Sequence, residues 1–271
     1  MISAFEQLHH QLAAAGIENA PQEARWMLEL VRRKTTDEAA RAALLAEWLR
    51  RRTSGEPFQY VVGSVEFYSV ELAVGPGVLI PRPETELLVE HALHLVAETP
   101  PGTPILDLCT GSGAIPLALA HERPDLDYTG IDLSTEALRW AKQNLAALQP
   151  PHCQFLLGDL FAPLGTPRPC FQLITANPPY VSPDEYRALP PEVKDFEPRL
   201  ALEATDDGLA LEKRIADEAR QWLLPGGWLL LEIGETQGSR LQDYCTALGY
   251  QQVAVLKDLA EKPRFVEMCR A

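Results

Sequence analysis

The sequence predicts an α/β fold that follows a small helical domain. From about residue 103 onward, apolar runs alternate with helical patterns, the order typical of a parallel sheet with helices on both faces. The apolar runs span 104–108, 127–131, 153–157, 170–176, 227–233, 250–256 and 264–269. The helical patterns span about 113–121, 134–147, 208–223 and 236–248. Because only a short polar stretch joins the last two runs, we expect the final strand to pair antiparallel.

Residues 1–55 are predicted to form the helical domain. The apolar positions of the first segment share one helix face, a second helix starts near Pro21, and a third starts at Thr36. Basic triplets end the second and third helices, at 32–34 and 50–52. We interpret them as partners of the helix dipole on a solvated face, and a docking patch for a partner is the alternative.

Residues 56–82 are predicted to join the two domains as a hairpin or linker. The run VEFYSVELAV alternates weakly and is rich in Val, Phe and Tyr, which favours a β-hairpin. A break at 75–77 follows, and a helix begins at or near Pro83, which opens a domain over 83–271. The inner side of that helix is expected to carry Leu87, Leu88, His91, Leu95 and Val96.

The composition favours a cytoplasmic protein without a membrane span or a metal site. The chain is 46% hydrophobic, yet no run approaches the ~18 apolar residues that a membrane helix needs. The N-terminal stretch lacks the basic leader and the apolar segment of a signal peptide. The cysteines are scattered, without a CxxC pair, which indicates reduced thiols. They are Cys109, Cys153, Cys170, Cys245 and Cys269.

The charge of the chain disfavours nucleic acid as a direct partner. The formal net charge is −14 at pH 7. Proteins that bind a duplex normally present a basic face, because neutralising phosphates supplies much of the affinity. A local basic patch within an acidic total stays possible, but the expected partner is not nucleic acid.

A glycine-containing turn follows the first predicted strand. The segment Cys109-Thr110-Gly111-Ser112-Gly113 opens into a helix, and glycines there let a backbone approach a ligand. Its spacing is not GxGxxG, so a dinucleotide pyrophosphate is poorly provided for. Taken alone, this turn is equally well explained as a tight connection between a strand and a helix.

Acidic residues follow the next two strands. Asp132 ends the second strand, where a carboxylate can accept hydrogen bonds from both hydroxyls of a ribose. Its alternative role is an acid at the start of the helix that Ser134 caps. Asp159 ends the third strand beside Leu160 and Phe161, where it could accept an adenine amino group under an apolar cover. The alternative for Asp159 is a turn cap.

These three strand ends together favour an adenosine-containing cofactor that lacks a pyrophosphate, such as S-adenosylmethionine. On these residues, the sequence over about 84–271 resembles the Rossmann-like class I S-adenosylmethionine-dependent methyltransferases.

The fourth strand ends in Asn177-Pro178-Pro179-Tyr180, at the edge where open α/β sheets bind ligands. Proline fixes φ and donates no backbone N–H, so the Asn177 side chain and the Pro178 carbonyl can point into the site as rigid acceptors. A planar NH₂ group can donate both hydrogens to them while Tyr180 covers its flat face. This motif predicts catalysis by positioning and electrostatics at such a nitrogen. The target is then an adenine or cytosine amine, or the carboxamide of Gln or Asn.

Longer stretches of sequence distinguish between a nucleobase amine and a side-chain carboxamide as the target. The chain is similar along nearly its full length to the release factor glutamine N5-methyltransferases, the HemK/PrmC family. The matching blocks are FQYVVGSVEFYSVELAVGPGVLIPRPETE, ILDLCTGSGAIPLALA, ANPPYV, DFEPRLALEATDDGL, LLPGGWLLLEIGETQG and KDLAEKPRFVEM. The resemblance implies methyl transfer to the glutamine of the Gly-Gly-Gln motif in peptide chain release factors. It also implies that the helical domain recognises the substrate. The alternative is a DNA or RNA amino-methyltransferase, because amino-nucleobase methyltransferases share the Asn-Pro-Pro-Tyr motif.

The resemblance also implies roles for individual residues. The 109–113 turn, Asp132 and Asp159–Leu160 would hold S-adenosylmethionine, with Asn177 between cofactor and substrate. The loop near its methionine end would be Arg82, Pro83, Glu84 and Thr85. The glutamine would be bound by Asn177, Pro178, Pro179 and Tyr180.

The sequence departs from the family pattern at Cys109, at the KPR segment and at Leu160, which offers less stacking than an aromatic residue, and Glu197 has two interpretations. Glu197 would close the substrate pocket, or be a surface acid. Cys109 replaces a frequent glycine, which matters little where only backbone faces the ligand. KPR replaces a commoner pair of an acid and arginine, which puts a role for Arg264 in doubt.

Overall fold

The computed structural model describes residues 3–271, and its residue contacts divide the chain into two compact units. The smaller unit comprises the chain up to Ser64 together with Pro190–Phe196. The larger unit comprises Val65–Leu189 and Glu197–Ala271. The segment 190–196 thus belongs by its contacts to the helical unit, although it lies far along the chain.

Helices make up the smaller unit and flank the sheet of the larger one. In chain order they are α1 (Ala4–Ala14), α2 (Ala20–Lys34), α3 (Glu38–Thr53), α4 (Phe58–Val62), α5 (Pro83–Leu95), α6 (Ala114–Glu122), α7 (Thr135–Leu148), α8 (Pro183–Ala188), α9 (Pro191–Lys194), α10 (Ala210–Ala219) and α11 (Gly238–Ala247). Within residues 3–271, no helix combines the length and the apolar content that crossing a membrane requires.

Two sheets contain the strands. The strands are β1 (Ser64–Phe67), β2 (Val70–Ala73), β3 (Pro104–Leu108), β4 (Asp127–Asp132), β5 (Cys153–Leu157), β6 (Phe171–Ala176), β7 (Leu223–Glu232), β8 (Gln251–Lys257) and β9 (Pro263–Cys269). β1 and β2 form a two-stranded sheet, and the others form a sheet in the order β5-β4-β3-β6-β7-β9-β8. β9 is antiparallel to both of its neighbours, and the remaining pairs are parallel. The predicted α/β fold and its antiparallel last strand are confirmed.

The strand order reverses between β3 and β6, and this reversal creates the site. Leu108 at the end of β3 pairs with Ala176 at the end of β6. The residues that follow, Cys109 and Asn177, therefore leave the sheet side by side. Crevices at such reversal points, beyond the carboxyl ends of the strands, are where open α/β sheets bind ligands.

The sheet is buried on both faces. Ile105 belongs to the apolar cluster on one face, whereas Leu106 and Leu108 belong to the cluster on the other. Successive side chains of a strand point to opposite faces, so a strand covered on both sides must be apolar at nearly every position. This is why the strands of the sheet appear in the sequence as continuous apolar runs.

One local prediction needs correction. Phe58–Val62 forms the helix α4 within the span that was predicted to be a hairpin or linker. This helix buries residues such as Val61 in the apolar cluster of the helical unit. On α5, Leu88 and Val96 of the predicted inner positions are buried, and Leu87 and Leu95 are partly buried and pack against the core, as His91 does against Phe265. The buried positions are Thr85, Leu88, Val89, Ala92 and, just after the helix, Val96.

Candidate functional site

A cavity of about 1080 Å³, counting its open mouth, lies at the carboxyl ends of the strands. The residues of the predicted cofactor site that line it are Cys109, Thr110, Gly111, Ser112, Asp132, Asp159, Leu160 and Asn177. The structure thus brings together side chains from four separate strand ends.

The turn after β3 uses unusual backbone conformations. Cys109 and Gly111 have φ of 55° and 58°, in the left-handed region that favours glycine. The amide of Gly111 donates a hydrogen bond of 2.8 Å to Oδ2 of Asp132. Gly113 serves packing, because a Cβ there would lie 2.6 Å from Cζ of Phe155. The last glycine of the motif therefore lets the helix α6 start against a buried ring.

Asp132 is fixed by backbone donors on both of its oxygens. Oδ1 accepts from the amide of Ser134 at 2.8 Å, and Oδ2 accepts from Gly111. Ser134 in turn caps α7 by accepting from the amide of Ala137. Burial raises the pKa of Asp132. A carboxylate oxygen has two lone pairs, so each keeps an acceptor position that can receive a ligand hydroxyl.

Asp159 and Leu160 contribute differently from one another. Arg214 Nη1 donates to both oxygens of Asp159 at 2.9 Å, so the carboxylate is held by an ion pair and not by a turn. Leu160 has φ of 47° and lines the cavity. The neighbouring Phe161 stacks on Trp222 with ring centroids 5.8 Å apart. Leu160 is therefore the apolar surface here, and Phe161 belongs to the core.

The buried polar atoms beside the cavity include one that fits a hydroxyl-bearing ligand. Within residues 3–271, Oδ2 of Asp107 and Oγ1 of Thr110 have no hydrogen-bond partner. The other oxygen of Asp107 accepts from the hydroxyl of Thr175 at 2.7 Å, and burial raises the pKa of Asp107 to about 7. Thr110 lines the cavity, whereas Asp107 does not. Thr110 and Asp132 together suit the ribose hydroxyls of S-adenosylmethionine.

The Asn-Pro-Pro-Tyr segment borders two pockets. Asn177 and Pro179 line the large cavity, whereas Pro178, which lies between them in the sequence, is buried. Asn177 and Tyr180 also line a smaller pocket of about 280 Å³. Burial raises the pKa of Tyr180, whose hydroxyl donates to Glu232 at 3.4 Å. Asn177 therefore lies where the two pockets meet.

Glu197 is an internal support and not a surface acid. Its side chain is 1% exposed, and Arg82 Nη2 donates to its Oε1 at 2.6 Å. The amide of Ile80 donates to its Oε2 at 3.0 Å. Arg82 itself lines the smaller pocket. The surface interpretation of Glu197 is wrong, and its carboxylate orders the loop beside that pocket.

The segment after Arg82 lies differently from the sequence prediction. Pro83 and Glu84 are exposed in the first turn of α5, where the helix directs them outward. Thr85 is the first buried residue of that helix and lines the large cavity. Of this segment, Thr85 lines the large cavity, whereas Arg82, Pro83 and Glu84 do not, and their predicted contact with the cofactor stays a prediction.

Comparisons with known proteins agree along the chain. A model described as Methyltransferase domain matches residues 105–196, and one described as PrmC N-terminal domain matches residues 3–63. A release factor glutamine methyltransferase of Thermodesulfovibrio yellowstonii is 43% identical over 215 residues, which cover 78% of this chain and 76% of that protein. One from Caulobacter vibrioides is 36% identical over 277 residues, covering 98% and 95%. The chain belongs to the release factor glutamine methyltransferase family.

A solved structure agrees with the fold of this release factor glutamine methyltransferase. The 16S rRNA N2 G1207 methyltransferase RsmC of T. thermophilus, in complex with AdoMet and guanosine, gives a TM-score of 0.55 at 20% identity. The match covers 77% of this chain and 50% of that one. At that identity, the likeness shows the fold alone.

Glu232 is a buried acid that the sequence analysis of this family member missed. It ends β7, is 1% exposed and accepts a hydrogen bond of 2.7 Å from Oγ1 of Thr85. Burial raises its pKa to about 7. The signal was present, because Glu232 ends a predicted strand just as Asp132 does. Arg264 donates to Oδ2 of Asp258 at 3.2 Å from Nη2, so in this structure its guanidinium orders the turn between β8 and β9.

Proposed function

We propose that this protein transfers a methyl group from S-adenosylmethionine to the side-chain amide nitrogen, N5, of a glutamine. The substrate is the glutamine of the Gly-Gly-Gln motif in peptide chain release factors. The observation that carries the proposal is the place of Asn177, which borders both the large cavity with its acidic groups and the smaller pocket with Tyr180. An amide bound in the smaller pocket would meet the cofactor at that residue.

The residues around the large cavity hold the cofactor in this proposal. The 109–113 turn provides backbone, Asp132 accepts from the ribose, and Asp159 with Leu160 contacts the adenine. Bound there, S-adenosylmethionine would supply an electrophilic methyl group, which the amide nitrogen would take from the sulfonium as it lost one of its protons to water.

The Asn-Pro-Pro-Tyr segment orients the amide. An amide nitrogen is a weak nucleophile, because its lone pair is delocalised into the carbonyl. Asn177 Oδ1 and the carbonyl of Pro178 accept its two hydrogens, and this interaction strengthens as positive charge develops on the nitrogen. Tyr180 covers the flat group in the smaller pocket, Pro179 lines the large cavity beside Asn177, and Glu197 holds Arg82 at the rim of the smaller pocket.

The alternative, an amino-nucleobase methyltransferase, is less favoured. Such an enzyme extracts its base from a stack and normally offers a basic channel, whereas this chain carries a net charge of −14. The two relatives named above, both release factor glutamine methyltransferases, match this chain over most of their own length.

We also propose that the helical unit recognises the release factor. The domain limits 1–55, 56–82 and 83–271 and the cytoplasmic location stay predictions.

The test is methyl transfer from labelled S-adenosylmethionine to a purified release factor. A matched factor carrying Gln→Ala in its Gly-Gly-Gln motif is the control, and mass spectrometry locates the label. Label on the glutamine amide that is absent from the control supports the proposal. Label on adenine of DNA or RNA, with none on the factor, contradicts it. In the same assay Asn177→Ala should abolish transfer while largely keeping cofactor affinity.

A further inference from the structure

A chain of hydrogen bonds connects the end of β7 to Asn177. Thr85 Oγ1 donates to Oε2 of Glu232 at 2.7 Å. Asn177 Nδ2 donates to the same Thr85 oxygen at 3.2 Å. Glu232 and Thr85 are both buried, at 1% and 4% exposure, so solvent does not compete for these groups. Three separate elements, β7, α5 and the segment after β6, thus meet at one threonine hydroxyl.

The direction of these hydrogen bonds is determined by the number of protons. A threonine hydroxyl has one hydrogen, and an ionised carboxylate only accepts. Thr85 must therefore donate to an ionised Glu232, and toward Asn177 it can only accept. The Asn177 amide consequently turns its NH₂ group to Thr85, which leaves Oδ1 as the acceptor that faces away. The opposite orientation would present an NH₂ donor to the NH₂ donor of a substrate amide.

We propose that Glu232 and Thr85 are positioning residues that hold the Asn177 amide with Oδ1 directed at the substrate nitrogen. This proposal rests on the proposed function, in which the substrate is a primary amide and Asn177 its acceptor. Neither residue needs to contact the reacting atoms. Their effect is to remove the inactive orientation of Asn177, and so to keep every bound substrate in the reactive arrangement.

The surroundings of Glu232 make this arrangement dependent on pH. Burial raises the pKa of Glu232 to about 7, against the hydrogen bond from Thr85, the charge of Arg264 and the hydroxyl of Tyr180. Glu84 opposes its ionisation further. A neutral Glu232 can donate its own proton to Thr85, which then donates to Oδ1 of Asn177 and turns the amide. The transfer rate should therefore fall as pH drops through about 7 and level off above it.

The first experiment compares kcat, KM and cofactor affinity in three variants. Thr85→Val keeps the shape but removes the hydroxyl, and kcat should fall on the order of 100-fold. Thr85→Ser restores the hydroxyl and should keep kcat within about threefold of the wild type. Thr129→Val on β4 makes the same change outside the site and should leave kcat unaltered. Equal losses in Thr85→Val and Thr85→Ser, or none in either, would overturn the proposal.

The second experiment needs no substrate. The chain has three asparagines, Asn19, Asn144 and Asn177, so labelling with ¹⁵N-asparagine resolves the side-chain amide of Asn177 by NMR. Its resonance should move with a midpoint near pH 7 in the wild type and stay constant in Glu232→Gln. A titration that persists in Glu232→Gln, or is absent from the wild type, overturns the proposal. If the wild type titrates but methylates no release factor, the proposed function fails and the hydrogen-bond chain stands.

Discussion

The carboxylate of Glu197 and the guanidinium of Arg82 form an ion pair of 2.6 Å across 115 residues of sequence. The carboxylate is almost fully buried, whereas Arg82 is partly exposed at the smaller pocket. The second oxygen of Glu197 accepts from the amide of Ile80. One buried side chain therefore orders both the backbone and the cationic group on this side of the proposed substrate pocket.

Glu197→Ala should destabilise the protein and weaken substrate binding. The substitution leaves the amide of Ile80 buried without a partner, which costs about 1–3 kcal/mol in free energy of unfolding. Arg82 also loses its orientation, so KM for the release factor should rise. Urea denaturation and steady-state kinetics measure the two effects. Glu136→Ala, at an exposed pair with Arg139, is the control and should cost under about 1 kcal/mol. Equal stability of the two variants would contradict this role.

Asp132→Asn should weaken cofactor binding while the fold is kept. Asparagine retains one oxygen but places an NH₂ group where the second oxygen accepts from a backbone amide. Hydrogen bonds to a charged acceptor contribute roughly 1.5–3 kcal/mol each, so the Kd for S-adenosylmethionine should rise on the order of 100-fold. Isothermal titration calorimetry gives the Kd directly. Asp127→Asn lies at the opposite end of the same strand, β4, and should leave the Kd unchanged.

The strand ends were predictable from the sequence because they depend on local pattern. Apolar runs located β3, β4, β5 and β6, and in a parallel sheet their carboxyl ends must meet at one edge. Asp132, Asp159 and Asn177 could therefore be placed around one cavity without coordinates. Their individual partners were not predictable, as the ion pair between Asp159 and Arg214 shows.

Contacts between segments that are distant in sequence could not be predicted from the sequence. Thr85 and Glu232 are 147 residues apart, and no periodicity connects them.

The two basic triplets, at 32–34 and 50–52, look alike in sequence, yet their members have different surroundings. Arg33 pairs with Glu29 in solvent, whereas Arg52 pairs with Glu23 in the interior. The interpretation of both triplets as solvated helix ends is therefore wrong for Arg52.

Arg52→Ala should destabilise the helical unit far more than Arg33→Ala. Arg52 donates to both oxygens of Glu23 at 2.7 and 2.9 Å, and both side chains are 7% exposed. Removing one member of a buried pair leaves an uncompensated charge and typically costs about 3–5 kcal/mol. The pair of Arg33 and Glu29 is about 60% exposed, so its loss should cost under about 1 kcal/mol. Urea denaturation, followed by circular dichroism, compares the stability of the two variants. Similar unfolding midpoints for Arg52→Ala and Arg33→Ala would contradict the prediction.

Glu212→Gln should stabilise the protein increasingly as pH rises from about 4.5 to 8. Both carboxylate oxygens of Glu212 lack a hydrogen-bond partner within residues 3–271, and burial raises its pKa from 4.5 to about 8. Between these values only the unfolded chain ionises, so the wild type loses stability that the variant keeps, up to about 5 kcal/mol. Denaturation at pH 4, 6 and 9 tests this. Glu122→Gln, at an exposed helix end, should change stability by under about 0.5 kcal/mol throughout, and a pH-independent effect of Glu212→Gln would contradict the assigned shift.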